Sequence, residues 1–130
     1  KDVKEQIIID LPPAEVRCLE AAIHHEAKGE SLAGKLAVGN VVLNRVAAPA
    51  FPKSVCAVVK QKKQFSWYKG NDATLHTPVS QETKLAARKA MAAERDNVLF
   101  FHATYVAPKW SNLLSRRYTI GNHIFYALNH

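Results

Sequence analysis

The fold class this sequence predicts is α+β and predominantly α-helical. Three observations carry it. Apolar residues return at three- and four-residue spacing over three stretches. One shorter aromatic run, from Gln64 to Tyr68, has strand character. Near the C-terminus Gly121-Asn122 separates two strand-like segments, a pair that suits the primed turns of a tight hairpin.

Taken in order, Lys1 to Asp10 holds one apolar run, Ile7-Ile8-Ile9, and reads as an N-terminal arm or strand packed on a single domain spanning 1–130. Pro12-Pro13 opens the first helix, because proline at the first helical position gives up no hydrogen bond. Val16, Leu19, Ala22, Ile23 and Ala27 form its stripe, and Gly29 offers a stop, so the helix is expected from about Pro13 to Lys28. Ser31 caps a second helix whose stripe is Leu32, Leu36, Gly39, Val42, Leu43 and Val46, with Val38 and Val41 on its flanks. That helix should be the most buried. Gly34 and Gly39 weaken it and point to close approach of another backbone, and Asn44 and Arg45 are expected to tie down the loop that follows. Pro49 and Pro52 mark that loop, Phe51 plugs the core, and Ser54 to Val59 reads as a short helix.

Gln64-Phe65-Ser66-Trp67-Tyr68 has strand-like aromatic content and precedes a polar loop from Lys69 to Pro78. Ser80 caps an alanine-rich helix expected from Gln81 to Arg95, with Leu85 and Ala92 inward, Lys84, Arg88 and Lys89 in solvent, and Glu82, Glu94 and Asp96 as surface charges. Val98 to His102 must be buried. The hairpin pairs Arg116–Ile120 with His123–Ala127, and Tyr118, Ile124 and Tyr126 either face a ligand or pack the hairpin. His130 is expected to fray.

At 130 residues, 48% hydrophobic and 22% charged, the chain has the size and composition of one ordinary globular domain. Its formal charge of +7 implies an anionic partner. The densest cationic cluster is Lys60, Lys62 and Lys63, followed by Arg116-Arg117, and no nucleic-acid-binding signature accompanies them. No apolar stretch approaches the length of a membrane span, and none reads as a signal peptide. The start at Lys1 suits a trimmed or processed part of something longer. Cys18 and Cys56 are either two buried thiols or a disulfide closing a loop of about 38 residues, the latter worth roughly 3–4 kcal/mol in the chain-entropy model and suited to work outside the cytosol. A cysteine nucleophile with a histidine base has no local signature.

Glu26 is the acid in an unexpected place. It lies three positions after Ile23 and seven after Leu19, so it points where the first helix's stripe points. A carboxyl there is partly desolvated, which penalises its charged form and raises its pKa, as a general acid near neutral pH requires. The bland alternative is a structural ion pair. His25-Glu26 would open a zinc-protease H-E-x-x-H helix, but Gly29 stands where the second histidine must be. His24 and His25 point about 100° apart and cannot converge on one metal unaided. No metal site is expected. Glu30 reads as structural, bonding backbone N–H groups at the next helix start.

His25-Glu26-Ala27-Lys28-Gly29-Glu30, Gly34-Lys35-Leu36-Ala37-Val38, Val41 to Val46 and Phe51-Pro52 together resemble the cell wall hydrolase family typified by spore-cortex-lytic enzymes. Gln64 to Trp67, Lys109-Trp110 and Ile120 to Tyr126 follow in that family's order, so the likeness covers about Cys18 to Tyr126. It implies a fold like goose-type lysozymes and lytic transglycosylases, with a small hairpin or sheet beside a cleft. The family's catalytic glutamate, the first of its E-A-R-G-E motif, matches Glu26; Lys28 stands where arginine is usual and lacks its planar fork. The resemblance makes Gln64 and Ser66 candidate positioners of substrate or water; Phe65, Trp67, Trp110 and Tyr118 are aromatic candidates that either face sugar rings or fill the core. His102 stands where many members carry asparagine, and is either a substrate contact or a satisfied core histidine.

The implied function is cleavage of peptidoglycan glycan strands between N-acetylmuramic acid and N-acetylglucosamine by a lytic transglycosylase or muramidase, with one catalytic Glu and no cofactor. The partner is then the bacterial wall and not nucleic acid, and the enzyme a monomer that is secreted, periplasmic or carried by a bacteriophage as a lysin. Two readings compete: an endopeptidase of the peptide cross-links, and a non-catalytic wall-binding module.

Overall fold

The structure, a computed structural model, describes residues 10–62 and 64–129. The Ile7-Ile8-Ile9 arm, Lys63 and His130 lie outside them. Four α-helices precede a small sheet that packs on the second of them: α1 (Pro13–Ala27), α2 (Leu32–Ala47), α3 (Val55–Val59), α4 (Gln81–Ala92), then β1 (Val98–Ala103), β2 (Ser115–Ile120) and β3 (His123–Ala127). Single 3₁₀ turns cover Asp72–His76 and Lys109–Leu113. Among the described residues no helix is long and apolar enough to cross a membrane.

The expected α2 is the spine. Val38, Val41 and Val42 are fully buried, and around them pack Leu19, Ala22 and Ile23 of α1, Val58 and Val59 of α3, and Ala86, Ala87 and Ala90 of α4. Gly39 sits where α1 and α4 both press on α2: a Cβ there would lie 3.0 Å from Ile23 Cδ1 and 3.1 Å from Ala90 Cβ. At both glycines the close neighbours are side chains, since Gly34 makes room for the Cβ of Glu30. Ser31, Ser54 and Ser80 cap α2, α3 and α4 by accepting from the amides of Gly34, Ala57 and Thr83.

Cys18 and Cys56 form a disulfide, Cα–Cα 5.3 Å, tying α1 to α3. The Glu15 carboxylate reinforces that joint by accepting from the amides of Val55 at 2.5 Å and Cys56 at 3.3 Å, the free donors at the start of α3.

The hairpin folds as expected around Gly121, whose φ of +56° suits glycine. The run from Val98 joins it as a third antiparallel strand, giving the order β1-β3-β2 with Phe101 opposite Phe125 and Ala103 opposite His123. Four expectations need correction. Gln64 to Tyr68 is not a strand: Gln64 and Tyr68 donate their amides to Gln61 O and Phe65 O, closing successive turns. The helix α4 stops at Ala92 because Arg95 folds back, donating through Nη2 to Ala90 O and Ala93 O. Leu85 is 37% exposed, since small Thr83, Ala86, Ala87 and Ala90 form the face that lies close on α2. Asn44 reaches forward to the start of β1 instead of the loop after α2, donating to Asp96 Oδ1 at 2.6 Å and Val98 O at 2.9 Å. Asp96 and Glu82 are exposed yet bonded, Glu82 to the buried Lys35 at 3.0 Å.

Candidate active site

The last turn of α1, the turns at 64–67, the end of α2 and the edge of the sheet enclose a cleft of about 290 Å³. Glu26 and His25 line one side, Gln64, Ser66 and Trp67 the adjoining lip, and Phe101, His102, Ala103, Tyr105 and His123 the sheet wall. A second lobe of about 430 Å³ shares Arg45, Gln64 and Phe101 with it and runs on past Phe100, Trp110, Leu113 and Leu114. Together the lobes make a groove with Arg45 between them.

Glu26 is part-buried, and its carboxyl is pushed above the ordinary carboxylate value. Burial is the main cause. Two opposing effects keep its charged form accessible: the Trp67 indole N–H, then the positive charge of Arg45. The indole Nε1 is buried without a partner at hydrogen-bonding geometry, so its influence on Glu26 is that of a nearby dipole. His25 holds Trp67 in place, stacked at 4.2 Å between ring centroids, while its Nε2–H donates to Thr74 O at 3.0 Å. His24 packs edge-on against His25 and has its pKa lowered by burial, then by His25 and Lys28.

Arg45 is the cation of the groove. Its Nε donates to Leu99 O at 2.8 Å, and its guanidinium lies 5.1, 5.7 and 5.6 Å from the ring centroids of Phe51, Phe65 and Phe100. Such a cage suits a delocalised cation, which is weakly hydrated and attracted to ring faces. Burial brings its pKa down to about 10, against the pull of Glu26, so it stays charged near neutrality. Sequence reasoning gave Arg45 a loop-tying role and missed its place in the groove. A cation following Val41-Val42-Leu43 on the most apolar helix was the available signal.

The other expected residues divide by location. Gln64, Phe65, Ser66, Trp67 and His102 come together with Glu26. Gln64 accepts weakly from Arg45 Nη1 at 3.4 Å, and Phe65 is a core side chain, 3% exposed, that reaches the cleft by one edge. Trp110 lines the second lobe, edge-on to His102. Tyr118 lines neither lobe and packs on Phe125 across the sheet. Both His102 nitrogens are engaged: Nδ1 lies 2.7 Å from Ala103 O, which fixes its proton there, and Nε2 accepts from the Tyr126 hydroxyl at 2.7 Å. His123 is buried, its Nδ1 unpartnered and its pKa lowered chiefly by burial. Sequence reasoning overlooked it as well.

Two carboxylates outside the groove, Glu30 and Asp72, are committed to other bonds. Glu30 bonds the β2–β3 turn instead of the next helix start, accepting from Asn122 N at 3.0 Å and Asn122 Nδ2 at 3.1 Å. Asp72 accepts from the Tyr68 hydroxyl at 2.6 Å and pairs with Lys60 at 3.3 Å. With both cysteines in a disulfide there is no thiol for a cysteine nucleophile, and no three His, Cys, Asp or Glu side chains among the described residues are grouped to hold a metal.

Residues 29–126 match the family model described as Cell Wall Hydrolase, a span that begins three residues after Glu26. The spore cortex-lytic enzyme of Bacillus subtilis (strain 168) is 27% identical over 112 residues, 85% of this chain and 37% of that protein. The Bacillus cereus enzyme of the same name is 27% identical over 114 residues, 85% of this chain and 43% of its own length. The chain therefore spans about two fifths of these curated relatives. Among solved structures, the catalytic domain of the germination-specific lytic transglycosylase SleB from Bacillus anthracis superposes with a TM-score of 0.79 at 24% identity, covering 89% of this chain and 96% of that one. The catalytic domain of the Bacillus cereus SleB protein gives 0.80 at 23%, covering 97% and 99%. These likenesses establish the lysozyme-like fold expected from the motifs.

Proposed function

The chain belongs to the cell wall hydrolase family, and from that premise we propose that it cleaves peptidoglycan glycan strands between N-acetylmuramic acid and N-acetylglucosamine as a lytic transglycosylase. The observation that carries this reading is that, among the described residues lining the groove, Glu26 is the one carboxyl group. A two-carboxylate glycosidase needs a second acid facing the first across the scissile bond. Glu30 and Asp72 are bonded away from the groove.

One acid suffices if the substrate supplies the nucleophile. Protonated Glu26 gives its proton to the glycosidic oxygen as the bond to muramic C1 breaks, releasing the N-acetylglucosamine end. The resulting carboxylate takes the proton of the muramic C6 hydroxyl, whose oxygen bonds to C1 and closes an anhydro ring. Glu26 ends protonated as it began. Burial makes it a base strong enough for the second step, while Arg45 and the Trp67 dipole lower the cost of its transient charge. The reaction calls for no metal or cofactor. In this reading Gln64 and Ser66, which line the cleft, orient sugar hydroxyls, and the groove-lining Trp67 and Trp110 meet the glycan.

The domain would act as a monomer on the wall, outside the cytosol, where the Cys18–Cys56 disulfide is stable. The cross-link peptidase reading has no free thiol, and no grouped metal ligands among the described residues, to support it, and a pure binding module has no use for a destabilised carboxyl. Digestion of purified peptidoglycan followed by mass spectrometry tests the proposal: it expects anhydro-muramyl ends. Freed peptide termini on intact glycan would refute it.

A further inference from the structure

The lysines that the active-site groove leaves unused surround a cavity of their own. Lys60, Lys62 and Lys69, with Tyr68 and Gly70, line a space of about 360 Å³. Lys60 follows the last turn of α3, and Gly70, at φ +91°, reverses the chain next to Lys69. Asp72, the acid bonded at this rim, offsets only Lys60. Lys62 and Lys69 have no acidic partner among the described residues. Clustered like charges repel and cost stability, so the grouping suits an anion.

Its position suggests which anion. Tyr68 packs edge-on against Trp67, centroids 6.1 Å apart, and Trp67 lines the Glu26 cleft. The basic cavity and the cleft are therefore separated by one aromatic pair. A peptidoglycan strand carries, on the lactyl group of each muramic acid, a short peptide rich in carboxylates. We propose that the Lys60–Lys62–Lys69 cavity binds the carboxylates of the stem peptide attached to the strand held in the cleft, making it a determinant of specificity for peptide-bearing glycan. This rests on the glycan-cleaving reading above. The lysine stems supply apolar walls for the peptide while their ammonium groups meet its carboxylates.

Lys62→Gln/Lys69→Gln keeps the Lys60–Asp72 pair and alters only exposed side chains. The measurement is the ratio of cleavage rates on teichoic-acid-free walls and on the same glycan stripped of peptides by an amidase. That ratio should fall about tenfold in the double variant, as expected for two exposed charge contacts, and in the unsubstituted protein it should fall as salt is raised. An unchanged ratio, or equal losses on both substrates, overturns the proposal. The independent arm uses Glu26→Gln protein and the soluble tripeptide alanyl-γ-glutamyl-diaminopimelate in calorimetry, which needs no catalysis. Binding that disappears with the two lysines supports the cavity even if no glycan is ever cut. Absent binding, or tighter lysine-dependent binding of purified teichoic acid than of the tripeptide, rejects it in favour of no site or of a phosphate-polymer site.

Discussion

Glu26 and Glu30 lie four residues apart at the same end of α1, and the molecule treats them in opposite ways. Glu26 is withdrawn from water without a full set of partners, and its carboxyl is pushed up, mainly by burial. Glu30 reaches from the following loop across to the β2–β3 turn, where the Asn122 amide is the leading cause of a lowered pKa. A carboxylate with its hydrogen bonds made is a structural tie; one left short of them keeps its proton available for chemistry. Gly121 belongs to the tie, since a Cβ there would lie 2.2 Å from Glu30 Oε1.

The largest expected effect breaks the first half of this contrast. Glu26→Gln should lower glycan cleavage by about a thousandfold or more, within the range that general acids contribute, while thermal unfolding shows the fold intact. Retained activity would transfer the proton donation elsewhere. The second half is broken by Glu30→Ala, which should cost about 1–2 kcal/mol of stability through two lost charge-assisted bonds, read as a drop in Tm, with only a several-fold loss of activity as the turn beside His123 loosens. Gly121→Ala should cost a similar amount, about 1–2 kcal/mol for a strained positive φ plus the clash. Made in the Glu30→Ala background it should cost less, and strict additivity in that cycle would show that the two residues do not meet.

Smaller and sharper is the pH dependence. For Glu26, whose folded pKa is raised, protonation favours the fold, and that contribution is lost as pH rises through the folded pKa. Glu26→Gln should therefore gain Tm over the unsubstituted protein at neutral pH, and the gain should shrink in acid. For Glu30, whose folded pKa is lowered, the contribution is present above its unfolded pKa and lost as pH falls through the folded one. The Glu30→Ala deficit should therefore also shrink in acid, with the opposite sign. Trp67→Phe removes the dipole that favours charged Glu26, so the alkaline limb of the pH–activity profile should move upward. A downward shift would mean that the indole acts by packing alone.

What the sequence disclosed follows from the range of the forces involved. The stripes of α1 and α2, the serine caps and the Gly121-Asn122 turn are local patterns, and each lies within about a residue of its expected place. Glu26 was legible for the same reason, as a polar residue on an apolar stripe. The turns at 64–67 were not, because their aromatics serve a cleft wall built from distant elements and only resemble strand residues. The partners of Glu30 and Arg45 were likewise invisible: Asn122 lies 92 residues away in sequence and Leu99 lies 54, and no local rule selects among acceptors at such separations. The family resemblance gathered Gln64, Ser66 and Trp67 near Glu26, while Tyr118, which the hairpin pattern left open between facing a ligand and packing the hairpin, packs on Phe125 of β3.

The most direct test of the central claim is a carbon-13 NMR titration of the glutamate side-chain carboxyls in the native protein, with Glu26 and Glu30 assigned from Glu26→Gln and Glu30→Gln. The expected result is one titration above the ordinary carboxylate value, belonging to Glu26, and one below it, belonging to Glu30. A Glu26 that titrates at or below the ordinary value would contradict the assignment of this residue as the protonated acid of the groove.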